Sequence, residues 1–291
     1  MSENKKTPDF ITYPKTFENF KWYKPILIFI IGFIATIIFS IILVIAFESI
    51  YSVNLIESII LGGYESMNSP VGQVISDLSV IIMIPSLYVG AKIVNDRPFS
   101  SYISSRGGWN FKLYLKALII PFIIMVIFLI AQIAVNGTDS NAAYHFSVLF
   151  LITCIILVPL QCITEELVFR GFLMQTFGAW FKIPVVAIIL QAIVFALGHE
   201  YNSAGLVEIF ISGIIFGFFA WKTKGIEVSS AIHTANNFSL ALFSMFGFIA
   251  ASSTVSNTDV IISTIIDIVI CLIMYYVGKK TDWFGEIPQN S

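Results

Sequence analysis

Residues 26–47 read ILIFIIGFIATIIFSIILVIAF, twenty-two positions without one ionisable side chain. At 1.5 Å per residue such a run makes a helix of about 33 Å, enough to cross a hydrocarbon core about 30 Å thick. It is apolar on every face, so no side of it is suited to water. Seven more apolar runs follow, at 73–94, 114–135, 146–170, 184–199, 206–221, 229–248 and 260–278. The chain therefore reads as all-α, a polytopic transmembrane helical bundle of about eight spans. The fifth and sixth runs are short, and a re-entrant pair there is the alternative. Polar turn-forming clusters separate the runs, among them Asn68-Ser69-Pro70, Ser104 to Gly108, Asn136 to Asp139 and Lys222 to Gly225.

Composition agrees with lipid as the solvent. Of 291 residues 57% are hydrophobic and 12% charged, about half the charged share of soluble domains, and the mean hydropathy is +0.88. A net charge of −2 argues against nucleic acid as a partner, which leaves membrane lipid and membrane-bound molecules. Cys154, Cys162 and Cys271 lie in apolar runs and suggest no disulfide framework. Residues Phe17 to Lys24 alternate aromatics with lysines, the pattern of an interfacial collar.

The distribution of cations tests the span count independently. Lys5, Lys6, Lys15, Lys21 and Lys24 precede the first run, and Lys92, Arg97, Arg106, Lys112 and Lys116 surround the second connection. Arg170 and Lys182 fall at the fourth connection, Lys222 and Lys224 at the sixth, and Lys279 and Lys280 after the last run. The odd-numbered connections carry acids such as Glu57, Glu65, Asp139 and Glu200 but no cation. All sixteen cations thus share one side, which the positive-inside rule assigns to the cytoplasm together with both termini. The chain divides into a cytoplasmic tail (1–25), supporting spans (26–145), a chemically rich region (146–248) and a last span with its tail (249–291).

Ionisable groups are costly inside spans and mark function by default. They concentrate in three motifs: Glu165-Glu166-Leu167-Val168-Phe169-Arg170, Phe195-Ala196-Leu197-Gly198-His199 and His233-Thr234-Ala235-Asn236-Asn237. Glu166 and Arg170 stand at i and i+4, the spacing of an intrahelical ion pair, and are read mainly as structural support. Glu165 sits about 100° further round and is free to face the interior. His233 and Asn237 project together from their helix, again at i and i+4. A carboxylate with two imidazoles can bind zinc and leave a position open for water. Without metal, Glu165 can itself deprotonate a water, and Asn237 can donate to a developing oxyanion. Both routes lead to hydrolysis of a peptide bond.

In order and spacing the three motifs resemble the CPBP intramembrane protease family, which includes type II CAAX prenyl endopeptidases and bacteriocin-processing and immunity proteins. The resemblance covers residues 146–248. It implies an intramembrane endopeptidase, metal-assisted or driven by a metal-free glutamate, acting on a membrane-associated CAAX-type or leader peptide substrate. It further implies Glu165, His199, His233 and Asn237 as catalytic residues, with Glu165, His199 and His233 as the zinc ligands if metal is used. Glu166 and Arg170 would support that site, in a multi-pass protein of a bacterial plasma membrane. A non-catalytic immunity or scaffold protein on the same fold is the alternative, and a proton-coupled transporter a more distant one.

The motifs place one demand on topology. Glu165 can reach His199 and His233 only if the fourth helix continues past Arg170, to about Phe177, with Arg170 buried or half-buried.

Overall fold

A computed structural model describes residues 7–51, 70–250 and 252–284. Lys5, Lys6, Glu57 and Glu65 lie outside these residues. Eight long helical segments follow one another among the described residues: α1 (Lys24–Tyr51), α2 (Pro70–Val94), α3 (Phe111–Asn136), α4 (Val148–Phe181), α5 (Pro184–Leu197), α6 (Ser203–Lys222), α7 (Glu227–Met245) and α8 (Asn257–Lys280). Each apolar run of the sequence has its helix. Six of these, α1 to α4, α6 and α8, are long and apolar enough to cross a membrane. The other two depart from that pattern for different reasons: α5 has only 14 residues, and α7 is interrupted by polar side chains.

Helix α7 is the axis of the bundle. Residues 225–235 are all buried, and α7 packs against α3, α4 and α6. A sequence of Ser229, Ser230, Ala231, Thr234 and Ala235 lets neighbouring helices approach closely, as small residues do in membranes. The Tyr114 hydroxyl donates to Thr234 Oγ1 at 3.0 Å, tying α3 to this axis. Outward faces carry the large apolar side chains, such as Phe33 and Ile37 on α1 and Ile123 and Ile127 on α3, all exposed.

Helix α4 is longer than its apolar run and extends to Phe181, beyond the Phe177 that the motifs require. Arg170 is therefore not at a connection: it is fully buried within the helix. The pairing with Glu166 explains why an arginine is tolerated there, and it removes Arg170 from the set of cations on one face.

The connections sort into two ends. The second, fourth and sixth meet the N-terminal segment: Ser105 N–H donates to the Lys224 carbonyl at 2.9 Å, Ser105 Oγ to the Pro8 carbonyl at 2.9 Å, and Trp180 Nε1 to the Trp22 carbonyl at 2.8 Å. The third, fifth and seventh gather at the opposite end, where Asn202 N–H donates to the Ser253 carbonyl at 3.0 Å and Asp139 N–H to the Phe248 carbonyl at 3.1 Å. The lysine- and arginine-bearing connections thus share one end.

The N-terminal segment is more than a polar tail. Phe10 and Ile11 are fully buried among Tyr102, Leu167, Phe172 and Met174. Asp9 Oδ2 accepts from Trp221 Nε1 at 2.9 Å, and Ile11 lies directly against Gly178, where an added Cβ would collide with its side chain and carbonyl. Replacing Gly178 with Val should expel this strap: limited proteolysis between residues 8 and 20 should become faster, whereas Gly32→Ala, whose Cβ meets nothing closer than 3.5 Å, should leave that cleavage rate unchanged.

Candidate active site

Immediately after the glutamate pair the α4 backbone changes from α-helical to π-helical, over Leu167–Met174. Such π segments occur mainly as local insertions at functional sites. Gly171 lies in this segment, and an added Cβ there would collide with the Tyr102 carbonyl. The missing side chain lets the connection after α2 press against α4.

Inside this widened turn sits a fully buried ion pair. Arg170 Nη1 lies 3.0 Å from Glu166 Oε1, and both side chains are 0% exposed. Nη2 donates to the Gly213 carbonyl of α6 at 3.3 Å. The guanidinium plane lies over the Phe195 ring, 4.2 Å from its centroid, and 5.2 Å from that of Phe216. Arginine suits this place because its flat, weakly hydrated head can stack and fork at once. Gly213 and Gly217, a Gly-x-x-x-Gly in α6, pack on α5 against Ala192 and Gln191. They bring that carbonyl within reach.

Glu166 has a second task. Its Oε1 also lies 3.1 Å from His233 Nδ1. A carboxylate committed to Arg170 accepts, so Nδ1 carries the hydrogen in this contact. The other imidazole nitrogen, Nε2, is the basic one. It faces Glu165 Oε2 at 3.4 Å and Asn237 Nδ2 at 3.3 Å. Phe216 stacks on the imidazole at 4.9 Å and Phe195 meets it edge-on at 6.0 Å, fixing the ring plane.

Glu165 points to the other side of α4, as its position one residue earlier requires. It is buried at 6% exposure, and its Oε1 accepts from Gln161 Nε2 at 2.7 Å. Asn237 Nδ2 donates to Gln161 Oε1 at 3.2 Å. Gln161, Asn236 and Asn237 are half-buried, so this side of the cluster can be reached, whereas the Glu166–Arg170 side cannot.

His199 stands apart from this contact network. It follows the C-terminus of α5, half-buried, with Nδ1 2.7 Å from the Phe195 carbonyl. The carbonyl only accepts, so Nδ1 donates and Nε2 carries the lone pair. Phe195 links the parts: its ring touches His199 at 4.8 Å, Phe169 at 4.9 Å and the Arg170 guanidinium. Among the described residues no hydrogen bond or ion pair joins His199 to Glu165 or His233. No three His, Cys, Asp or Glu side chains there form a group that could hold a metal ion. The donor set as arranged does not fit zinc.

The motif residues Glu165, Glu166, Arg170, His233 and Asn237 therefore converge, and His199 joins them through Phe195. Gln161 is an addition that the three motifs do not contain. Its signal in the sequence is the i, i+4 spacing Gln161–Glu165, one turn before the pair. Asp77 is buried at 4% exposure where α2 packs on α4. Gln73 Nε2 donates to its Oδ1 at 2.9 Å. Asp267, without a partner in its own helix, accepts from Ser212 Oγ of α6 at 2.7 Å.

Residues 146–239, the stretch with all three motifs, match the Rce1-like family, described as type II CAAX prenyl endopeptidase Rce1-like. The resemblance read from the motifs is thus shown on the segment that carries them. The chain is also 28% identical over 199 residues to the uncharacterized protein YyaK of Bacillus subtilis (strain 168). That similarity covers 63% of this chain and 66% of the relative, so the chain spans just under two thirds of the relative's length.

The buried pair predicts an asymmetry among variants. Arg170→Met leaves Glu166 uncompensated in a dry interior and should cost about 3–5 kcal/mol. Glu166→Gln with Arg170→Met should regain much of that loss. Thermal unfolding in detergent measures both, and equal stability of Arg170→Met and the parent would contradict the reading.

Proposed function

We propose that this chain is an intramembrane endopeptidase that hydrolyses a peptide bond with a water activated by Glu165. The observation that carries the reading is the meeting of Glu165 Oε2 and Asn237 Nδ2 at the basic nitrogen of His233, at 3.4 and 3.3 Å. A base, an orienting imidazole and an amide donor then surround one point that is open on the Gln161 side.

The chemistry follows from these groups. Glu165 takes one proton from water as the water oxygen attacks the carbonyl carbon. His233 Nε2 accepts a hydrogen bond from the water's second hydrogen, which stays on the oxygen, and so aims the attacking lone pair. Negative charge then collects on the former carbonyl oxygen, where Asn237 Nδ2 donates to it. Collapse of the tetrahedral intermediate breaks the C–N bond, and Glu165 returns its proton to the leaving nitrogen. His199, with Nδ1 held by Phe195, keeps Nε2 for the substrate at the mouth. Glu166 and Arg170 touch no reacting atom in this scheme; they hold His233. No step runs through a metal.

A bundle with so much exposed apolar surface receives its substrate within or along the bilayer. A lipid-anchored peptide fits that route, and the matched family points first to a prenylated C-terminal Cys-a-a-X sequence. With both termini cytoplasmic, as the cations suggest, the lysine- and arginine-bearing end of the bundle lies in the cytoplasm, here of a bacterial plasma membrane.

The test is cleavage of a quenched fluorescent peptide with a prenylated cysteine near its C-terminus by the purified protein in proteoliposomes. Glu165→Ala, His233→Ala and His199→Ala should each lower the rate by about 100-fold or more, with unfolding temperatures close to that of the parent. Retained cleavage in any two of them overturns the proposal. If Glu165→Ala keeps full cellular function, the non-catalytic immunity or scaffold reading takes its place. Zinc present in the parent and lost in both Glu165→Ala and His199→Ala would assign the metal route instead.

A further inference from the structure

A chain of side-chain amides crosses from α7 to α4 and ends on the proposed base. Asn236 Nδ2 donates to Asn237 Oδ1 at 3.0 Å. Asn237 Nδ2 donates to Gln161 Oε1 at 3.2 Å, and Gln161 Nε2 donates to Glu165 Oε1 at 2.7 Å. Three consecutive links run in the same direction.

The direction is forced by the last member. An ionised carboxylate only accepts, so Gln161 must turn its NH2 towards Glu165 and its carbonyl away. That carbonyl then requires a donor, which fixes the amide of Asn237, and Asn237 Oδ1 in turn fixes Asn236. Flipping any one amide would set two acceptors or two donors against each other. Cys162 Sγ adds a further donor to Gln161 Oε1 at 3.3 Å, with the same polarity.

The chain also distinguishes the two oxygens of Glu165. Oε1 is occupied by a short hydrogen bond. Among the described residues Oε2 is buried and has no hydrogen-bond partner, and a buried polar atom left unpaired calls for an explanation. It lies beside His233 Nε2 at 3.4 Å, on the side where the proposed water would sit.

We infer that Gln161 is a positioning residue for the reaction: it reserves Oε1, so that Oε2 is the oxygen that takes the proton, and it holds Asn237 with its N–H turned towards the reacting carbonyl. The role rests on the proteolytic reading, but the hydrogen-bond chain can be tested without it. Gln161 touches no reacting atom. It acts through Glu165 and Asn237 at once, so its removal should affect the chemical step and leave substrate binding nearly unchanged.

Two variants separate positioning from mere packing. Gln161→Met keeps length and volume but lacks the amide, and Gln161→Glu keeps the shape but opposes Glu165 with a second acceptor. Both should lower kcat on the prenylated fluorogenic peptide by about 10–100-fold, with KM within about twofold and an unfolding temperature close to the parent's. A kcat for Gln161→Met within about twofold of the parent overturns the inference while leaving the proteolytic reading intact. The second measurement needs no activity. In protein labelled with 15N-glutamine, the Gln161 side-chain amide is identified by its loss in Gln161→Met. Its proton resonance should move upfield in Glu165→Ala; an unmoved resonance overturns the inference. If the parent cleaves no such peptide, the proteolytic reading fails and the resonance still decides whether Gln161 holds Glu165.

Discussion

A fully buried glutamate–arginine pair organises the second half of this bundle. Two charges far from water are tolerated only when each is paired. Arg170 is paired with Glu166 and held by the Gly213 carbonyl and the faces of Phe195 and Phe216, while its Nε and Glu166 Oε2 have no hydrogen-bond partner among the described residues. These partners come from α4, α5 and α6, so the pair fixes three helices relative to one another. Through His233 Nδ1 it also fixes α7. The small residues of the motif regions have the same origin, because Gly171 and Gly213 allow backbone to approach where a side chain would hold it off.

The adjacent glutamates acquire different roles from their surroundings alone. Glu166 faces a guanidinium and an imidazole N–H, and its charge is used in holding them. One position earlier, Glu165 faces a glutamine amide, the basic nitrogen of the same imidazole and the half-buried rim. Neighbouring carboxyls with opposed environments are a recurrent way of separating a structural acid from a reactive one. Here the separation follows from helix geometry, since successive residues differ by about 100° in direction.

Two of the proposed reacting groups, His233 and Asn237, lie in a helix that is poorly suited to lipid. α7 carries His233, Asn236 and Asn237 along with several hydroxyl side chains, and it is central because lipid would not accept them. Its own first turn shows the same constraint. Glu227, fully buried, accepts from Arg106 Nη2 at 3.0 Å and from the Asn110 N–H at 3.1 Å, which anchors the helix start to the connection before α3. The N-terminal strap adds to this end by burying Phe10 and Ile11. The site is thus held from the cation-bearing end.

The sequence by itself determined the helical class, the position of every long helix and the motif residues. Hydrophobic runs and i, i+4 spacing are local properties, and a bilayer enforces them strongly. It also required a fourth helix reaching past Arg170, because the motifs could not otherwise meet. Tertiary structure alone decided which partners those residues take. Nothing local to Tyr114 marks it as the partner of Thr234, since the hydrogen bond joins helices 120 positions apart in the chain. The burial of Ile11 depends on a gap left by Gly178 in α4, far along the chain. The orientation of Gln161 depends on an asparagine 76 residues away. Such choices belong to packing, where steric fit and hydrogen-bond polarity are settled between segments that the chain does not place side by side.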